Sequence, residues 1–194
     1  MTGIMANTQA RMGPILLGLL GTPADVAAFG VALRLERIAR RLPSAAFGAA
    51  LPVFSHEMER GRPAPLRAQF DGILQGFALT AAAVLVIGAG PIVQSVYGAS
   101  FAAARLPLIW AGMGLVPALT NAFCKVYLYA AGRELTVLRW SAVAWVIQAA
   151  GCAVLIPHFG ATGAMCAFVS GEVAIWLPLR RASSDPLARP SSNP

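Results

Sequence analysis

The run from Asp25 to Phe54 reads as one long helix, yet its central positions Arg34, Glu36, Arg37, Arg40 and Arg41 are charged. The apolar stretches on either side, Val26 to Leu33 and Leu42 to Phe54, are each too short to cross a bilayer, which takes about 20 residues. A helix that spans through this run carries its charges at membrane depth. Ionised groups cost about 3 kcal/mol each there on insertion scales, so they turn toward a bundle interior or a water-filled cavity and mark a pathway. The run thus needs partner helices. A lone span in lipid is excluded.

Composition places the chain in a membrane class. Of 194 residues, 57% are apolar and 12% charged, with a mean hydropathy of +0.66. Soluble domains carry about 25% charged residues. The net charge of +7 is almost all arginine, since Lys125 is the sole lysine. Most arginines lie in short connections between apolar runs, and no basic stretch interleaves with aromatics, which argues against nucleic acid. Cys124, Cys152 and Cys166 stand alone in apolar runs, and His56 and His158 are isolated. Neither a CxxC nor an HExxH spacing occurs, so no metal site, cofactor or catalytic centre is expected. No acid pair or nucleophile–base arrangement suggests an enzyme.

Hydropathy yields six segments and predicts an all-α polytopic bundle of five to six spans. They run over about 12–20, 24–55, 70–96, 106–129, 135–156 and 161–179. The opening has Arg11 before an apolar run, like a short signal peptide, but lacks a convincing cleavage site. It reads as a first transmembrane helix with a weak or missing beginning. Pro43 and Pro52 predict kinks in the second segment, and Gly72 with Gly76 forms a GxxxG that permits close helix approach. The lobe is expected over 1–181, and 182–194 as a disordered, polar, proline-rich cytoplasmic tail.

The segmentation can be tested on charge. If the second segment ends on one side, that side also holds Arg60, Arg62, Arg67, Lys125, Arg133, Arg139, Arg180, Arg181 and Arg189, with Arg11 if the first segment spans. The other side holds Arg105, near Asp25. Positively charged loops stay in the cytoplasm. The C-terminus is therefore expected in the cytoplasm of a bacterial inner (plasma) membrane protein.

On a wheel of the second segment, Arg34, Arg37 and Arg41 share a face about 60° wide. Glu36 and Arg40 form an i,i+4 pair on the neighbouring face. Leu35, Ile38, Ala39 and Leu42 fill an arc that would pack on other helices or lipid. Guanidinium forks suit phosphate oxygens. The three arginines therefore read as an anion-handling, cavity-lining surface. Two alternatives stand beside it: snorkelling or pairing with carboxylates of other helices, and a tilted helix at headgroup level. Glu172, deep in the sixth segment, reads as an ion-pair partner or as a coupling site for a proton or sodium ion. Asn121 and Gln148 read as polar glue between helices, or as cavity contacts.

With those residues in view, Ala27 to Ser55 (AAFGVALRLERIARRLPSAAFGAALPVFS) resembles the eighth helix of the Wzx-type polysaccharide-export flippases of the multidrug/oligosaccharidyl-lipid/polysaccharide (MOP) exporter superfamily. Ile15 to Gly30 resembles the end of their seventh helix. Tyr97-Gly98, followed by Ala99 to Ala104, is similar to their next connection. Ile156 to Ala164 (IPHFGATGA) is similar to the turn between their last two helices, and Ser170-Gly171-Glu172 falls where they often carry serine and glutamate. The resemblance covers about Ile15 to Arg181.

It implies one six-helix lobe of an alternating-access transporter that turns a polyprenyl-diphosphate-linked oligosaccharide across the inner membrane for polysaccharide or lipopolysaccharide synthesis. Arg34, Arg37 and Arg41 would take up the diphosphate. Implied partners are that lipid-linked oligosaccharide, membrane lipid, and an N-terminal lobe or a second copy. A full member has about twelve or more spans, so a fragment inactive alone is expected. A multidrug or cation exporter lobe, and a non-transporting scaffold or gene remnant, are the rivals.

Overall fold

The computed structural model describes residues 12–60 and 63–184, without the side chains at 59, 63 and 64. Expectations about Arg11, Arg62, Arg189 and the rest of the opening and tail fall outside those residues. Every element described is helical. A first helix, α1, covers 12–20. It is followed by α2 (Pro23–Glu59), α3 (Pro63–Ile87), α4 (Ala89–Tyr97), a 3-10 turn (Ala99–Ala104), α5 (Arg105–Ala130) and α6 (Glu134–Ser184).

Local sequence explains the boundaries. Thr22 caps α2: its hydroxyl accepts from Asp25 N–H at 3.2 Å, while the Asp25 carboxylate accepts from Thr22 N–H at 3.0 Å. This reciprocal box satisfies two otherwise orphaned donors, and Pro23 needs no N–H bond in the first turn. Pro43 and Pro52 both lie inside α2 without ending it. The polar connection expected over 56–69 is mostly helix, because α2 continues to Glu59 and α3 starts at Pro63. Gly88 separates α3 from α4 inside the expected third segment.

At 51 residues, α6 would be about 77 Å long if straight. It is not straight. Gly160 has φ 52° and ψ −127°, outside helical geometry. A Cβ built on Gly151 would stand 2.9 Å from Ala167 Cβ, and one on Gly171 would stand 2.9 Å from Ala144 O. The two halves therefore fold back on each other as an antiparallel hairpin, at the turn expected between the last two segments.

Three helical elements are long and apolar enough to cross a membrane: Pro65–Ile87, Ala99–Ala130 and Glu134–Ser184. That is fewer than the five to six spans expected, for three physical reasons. The charges of α2 exclude it by hydropathy, the last two segments share one element, and α1 is described over 12–20 only. The helix of the last segment runs to Ser184, past the expected lobe boundary at 181.

Helix α5 is the hub, with α2, α3 and α6 packed around it. Phe54 of α2, fully buried, meets Phe70 of α3 and Phe123 and Tyr127 of α5 at ring-centroid distances of 5.5, 5.7 and 5.6 Å, all edge-on. Such geometry suits the ring quadrupoles. Close helix approach occurs at Gly112 and Gly114 of α5, where added Cβ atoms would stand 2.9 Å from Val86 Cγ2 and 2.5 Å from Val169 Cγ2. The Gly72/Gly76 motif is not used this way, since both positions face open space.

The two ends of the bundle differ. At one end the Asp25 carboxylate also accepts from Ala161 N–H at 3.1 Å, joining the start of α2 to the α6 turn. At the other, Arg67 donates to the Ser183 carbonyl and hydroxyl, Arg133 donates to the Ala182 carbonyl at 2.7 Å, and Arg180 pairs with Asp71 at 3.0 Å. Arg67, Arg133 and Arg180 thus gather at one end of the bundle.

Candidate functional site

The charged turns of α2 separate into an inner and an outer set. Ala28, Ala32, Glu36, Phe47, Ala50 and Phe54 form one buried stripe at helical spacing. Glu36 sits within that stripe at 1% exposure. The arc of Leu35, Ile38, Ala39 and Leu42 does not form the packing face: Ile38 and Leu42 are 52% and 74% exposed, whereas Leu35 and Ala39 lie at the edge of the core. The stripe runs through the carboxylate because a carboxylate with an adjacent arginine can be covered, whereas three further arginines on one face cannot.

Arg40 Nη1 lies 3.1 Å from Glu36 Oε1, the i,i+4 pair expected from sequence. The contact is an ion pair but not an aligned hydrogen bond, and both Glu36 oxygens lack a hydrogen-bond donor. Glu36 also lies within electrostatic reach of Glu172 and Arg37. Glu172, on the second half of α6, is 5% exposed. Its partner is not an arginine of α2. Asn121 of α5, 1% exposed, donates through Nδ2 to both the Oε2 and the backbone carbonyl of Glu172, each at 2.8 Å. Asn121 Oδ1 is buried without a donor. Gln148, on the facing half of α6, is buried beside Gly171, the residue before Glu172.

The structure therefore brings Glu36, Arg40, Glu172 and Asn121 together where α2, α5 and α6 meet, with Gln148 near by. Arg34, Arg37 and Arg41 are not part of that cluster. All three are exposed on the outer face of α2, and among the described residues none has a salt bridge or hydrogen bond. The inward carboxylates contact Arg40 and Asn121, with Arg37 within electrostatic reach of Glu36, and among the described residues no carboxylate forms an ion pair with the outer arginines. Chemically, the face is a row of three permanently charged, planar donor groups open to a ligand or a neighbouring surface.

Sequence reasoning missed the Asn121–Glu172 bond and the Asp25–Ala161 bond, which join residues 51 and 136 positions apart. The second left a partial signal, because Thr22-Pro23-Ala24-Asp25 is a legible capping box. Among the described residues no three of His, Cys, Asp and Glu gather as metal ligands would. Comparison with protein-family models, with curated proteins and with solved structures finds no match.

Proposed function

We propose that the chain is one lobe of a membrane transporter for an anionic, lipid-linked substrate, of the polyprenyl-diphosphate oligosaccharide class that its resemblance to Wzx-type flippases implies. In this reading α2 crosses the inner membrane together with α3, α5 and both halves of α6, and α1 adds a sixth passage. The end carrying Arg67, Arg133 and Arg180 faces the cytoplasm. The arginine face of α2 lines a wet cavity closed by a second lobe or a second copy.

One observation carries the reading. Arg34, Arg37 and Arg41 are exposed and, among the described residues, form no salt bridge, while the Glu36 carboxylate is turned into the core. Support for depth comes from the packing of α2: it starts beside the Gly160 turn and ends beside the start of α3, parallel to the hub helix. Its middle is then the middle of the bundle. Three such arginines facing hydrocarbon would cost on the order of 10 kcal/mol together, so water and an anion are the stable surroundings.

Glu36 and Glu172 both lie buried where α2 meets α6. A cation-exporter lobe is the second reading, favoured by the nearness of these two carboxylates. It is weaker because the open face is cationic.

The test is binding. In neutral detergent the chain should retain a polyprenyl diphosphate over the corresponding uncharged polyprenol. The Arg37→Gln/Arg41→Gln variant should lose that preference by about tenfold or more, as charge-assisted bonds would require. Equal retention of charged and uncharged lipid by the unmodified chain would defeat the proposal.

A further inference from the structure

A cleft opens at the opposite end from the Arg67 cluster. Gly90, Val93, Gln94, Gly98, Ala99, Ala102 and Arg105 line this cleft of about 220 Å³ between α4, the 3-10 turn and the start of α5. Four of these seven side chains are a methyl group or a hydrogen and a fifth is the apolar Val93, so the polar side chains in the cleft are the Arg105 guanidinium and the Gln94 amide. Arg105 lies across the bare face of α4: a Cβ on Gly90 would stand 3.7 Å from its Nε. Gly98 closes the cleft with φ 86°, a backbone conformation suited to glycine.

Arg105 stands where the 3-10 turn runs into α5, and its N–H donates to the Ala102 carbonyl. The first turn of α5 carries no acidic side chain. No carboxylate pairs with Arg105 among the described residues. Asp25 is the carboxylate described at this end, and its oxygens are taken by Thr22 and Ala161. An unneutralised guanidinium beside an amide in a cleft with small walls suits an anion.

We propose that this cleft binds a phosphoryl group, held by the fork of Arg105 and the amide of Gln94. A fork of parallel N–H donors matches two phosphate oxygens. Leu106, 58% exposed, follows directly. The cleft thus sits where the apolar bundle begins, at the level at which a lipid headgroup would present its phosphate. A phosphate or diphosphate free in solution offers the same chemistry.

The full chain carrying Arg37→Gln and Arg41→Gln, so that the arginine face of α2 does not dominate the reading, distinguishes the two sources. In neutral detergent, isothermal titration with sodium pyrophosphate measures the soluble form. In nanodiscs of phosphatidylcholine with phosphatidic acid as the minor lipid, native mass spectrometry counts retained anionic lipid. Arg105→Gln should weaken whichever ligand binds by about tenfold or more, and Gly90→Leu, which fills the cleft and keeps the charge, should do the same. Loss of pyrophosphate binding assigns a soluble ligand, and loss of phosphatidic acid alone assigns a headgroup. Failure of that parent chain to bind either, or an effect of Arg105→Gln with none of Gly90→Leu, overturns the site, the latter because the arginine is then only a surface charge. Helicity by circular dichroism confirms that both variants are folded.

Discussion

Asn121 holds Glu172 by two bonds from one amide nitrogen, to the carboxylate Oε2 and to the backbone carbonyl, each at 2.8 Å. The first ties a buried charge. The second occupies a carbonyl on the inner side of α6. One side chain on the hub helix thereby fixes both the orientation of the carboxylate and the height of the helix that carries it.

Replacing Asn121 with leucine should leave that carboxylate buried without a donor, at a cost of about 1–3 kcal/mol. Glu172→Gln keeps an acceptor for the amide and should cost less. Adding Glu172→Leu to Asn121→Leu should recover part of the loss, because both polar partners are then gone. Thermal unfolding in detergent for the single and double variants checks the order. An Asn121→Leu protein as stable as the parent would contradict it.

The Asp25–Gly160 junction gives a prediction in stability. The Asp25 carboxylate accepts from the Thr22 hydroxyl and from the N–H groups of Thr22 and Ala161. Asp25→Ala should therefore lower the melting temperature in detergent, at a cost of about 1–2 kcal/mol. Gly160→Ala is the harsher change, since its Cβ would stand 2.1 Å from Asp25 Oδ1 at φ 52°. A loss on the order of 1–3 kcal/mol is expected.

At the other end, two arginines that look alike should behave differently. Arg67 donates to Ser183 and Ser184 at the end of α6 and lies over the Tyr127 ring at 4.8 Å. It satisfies helix-end acceptors and stacks on an aromatic ring, so Arg67→Ala should cost about 1–2 kcal/mol. It should also raise hydrogen exchange over residues 175–184. Arg180 pairs with Asp71, but their side chains are 43% and 27% exposed. Asp71→Asn should change stability by no more than about 1 kcal/mol. Equal exchange in the two variants would refute the distinction.

Much of this architecture was legible in the chain, and its limits are physical. Apolar runs declare helices, Gly160 lies in the turn where the last two segments part, and Glu36–Arg40 follows from i,i+4 spacing. Hydropathy cannot count spans when a helix keeps its charges, as α2 does, or when one element folds on itself, as α6 does. Local pattern also left open whether the apolar arc of α2 meets helices or lipid: Ile38 and Leu42 are exposed in this chain, whereas Glu36 is buried. A GxxxG spacing at Gly72 carried no information about contact, because only a neighbour's position decides whether a missing Cβ is filled. The joining of Asn121 to Glu172 depends on where α5 sets α6, which no local window contains.

The most direct test of the arginine face is its contact with water. Single cysteines at positions 34, 37 and 41, in a background with Cys124, Cys152 and Cys166 replaced by alanine, can be probed in native membranes with a charged, membrane-impermeant thiol reagent. Brief permeabilisation opens both sides. The account predicts labelling at all three positions and protection by a diphosphate-bearing polyprenyl lipid, with cysteines at Ile38 and Leu42 unlabelled. All three arginine positions sealed from the reagent on both sides, or cysteines at 38 and 42 labelled as readily, would contradict it.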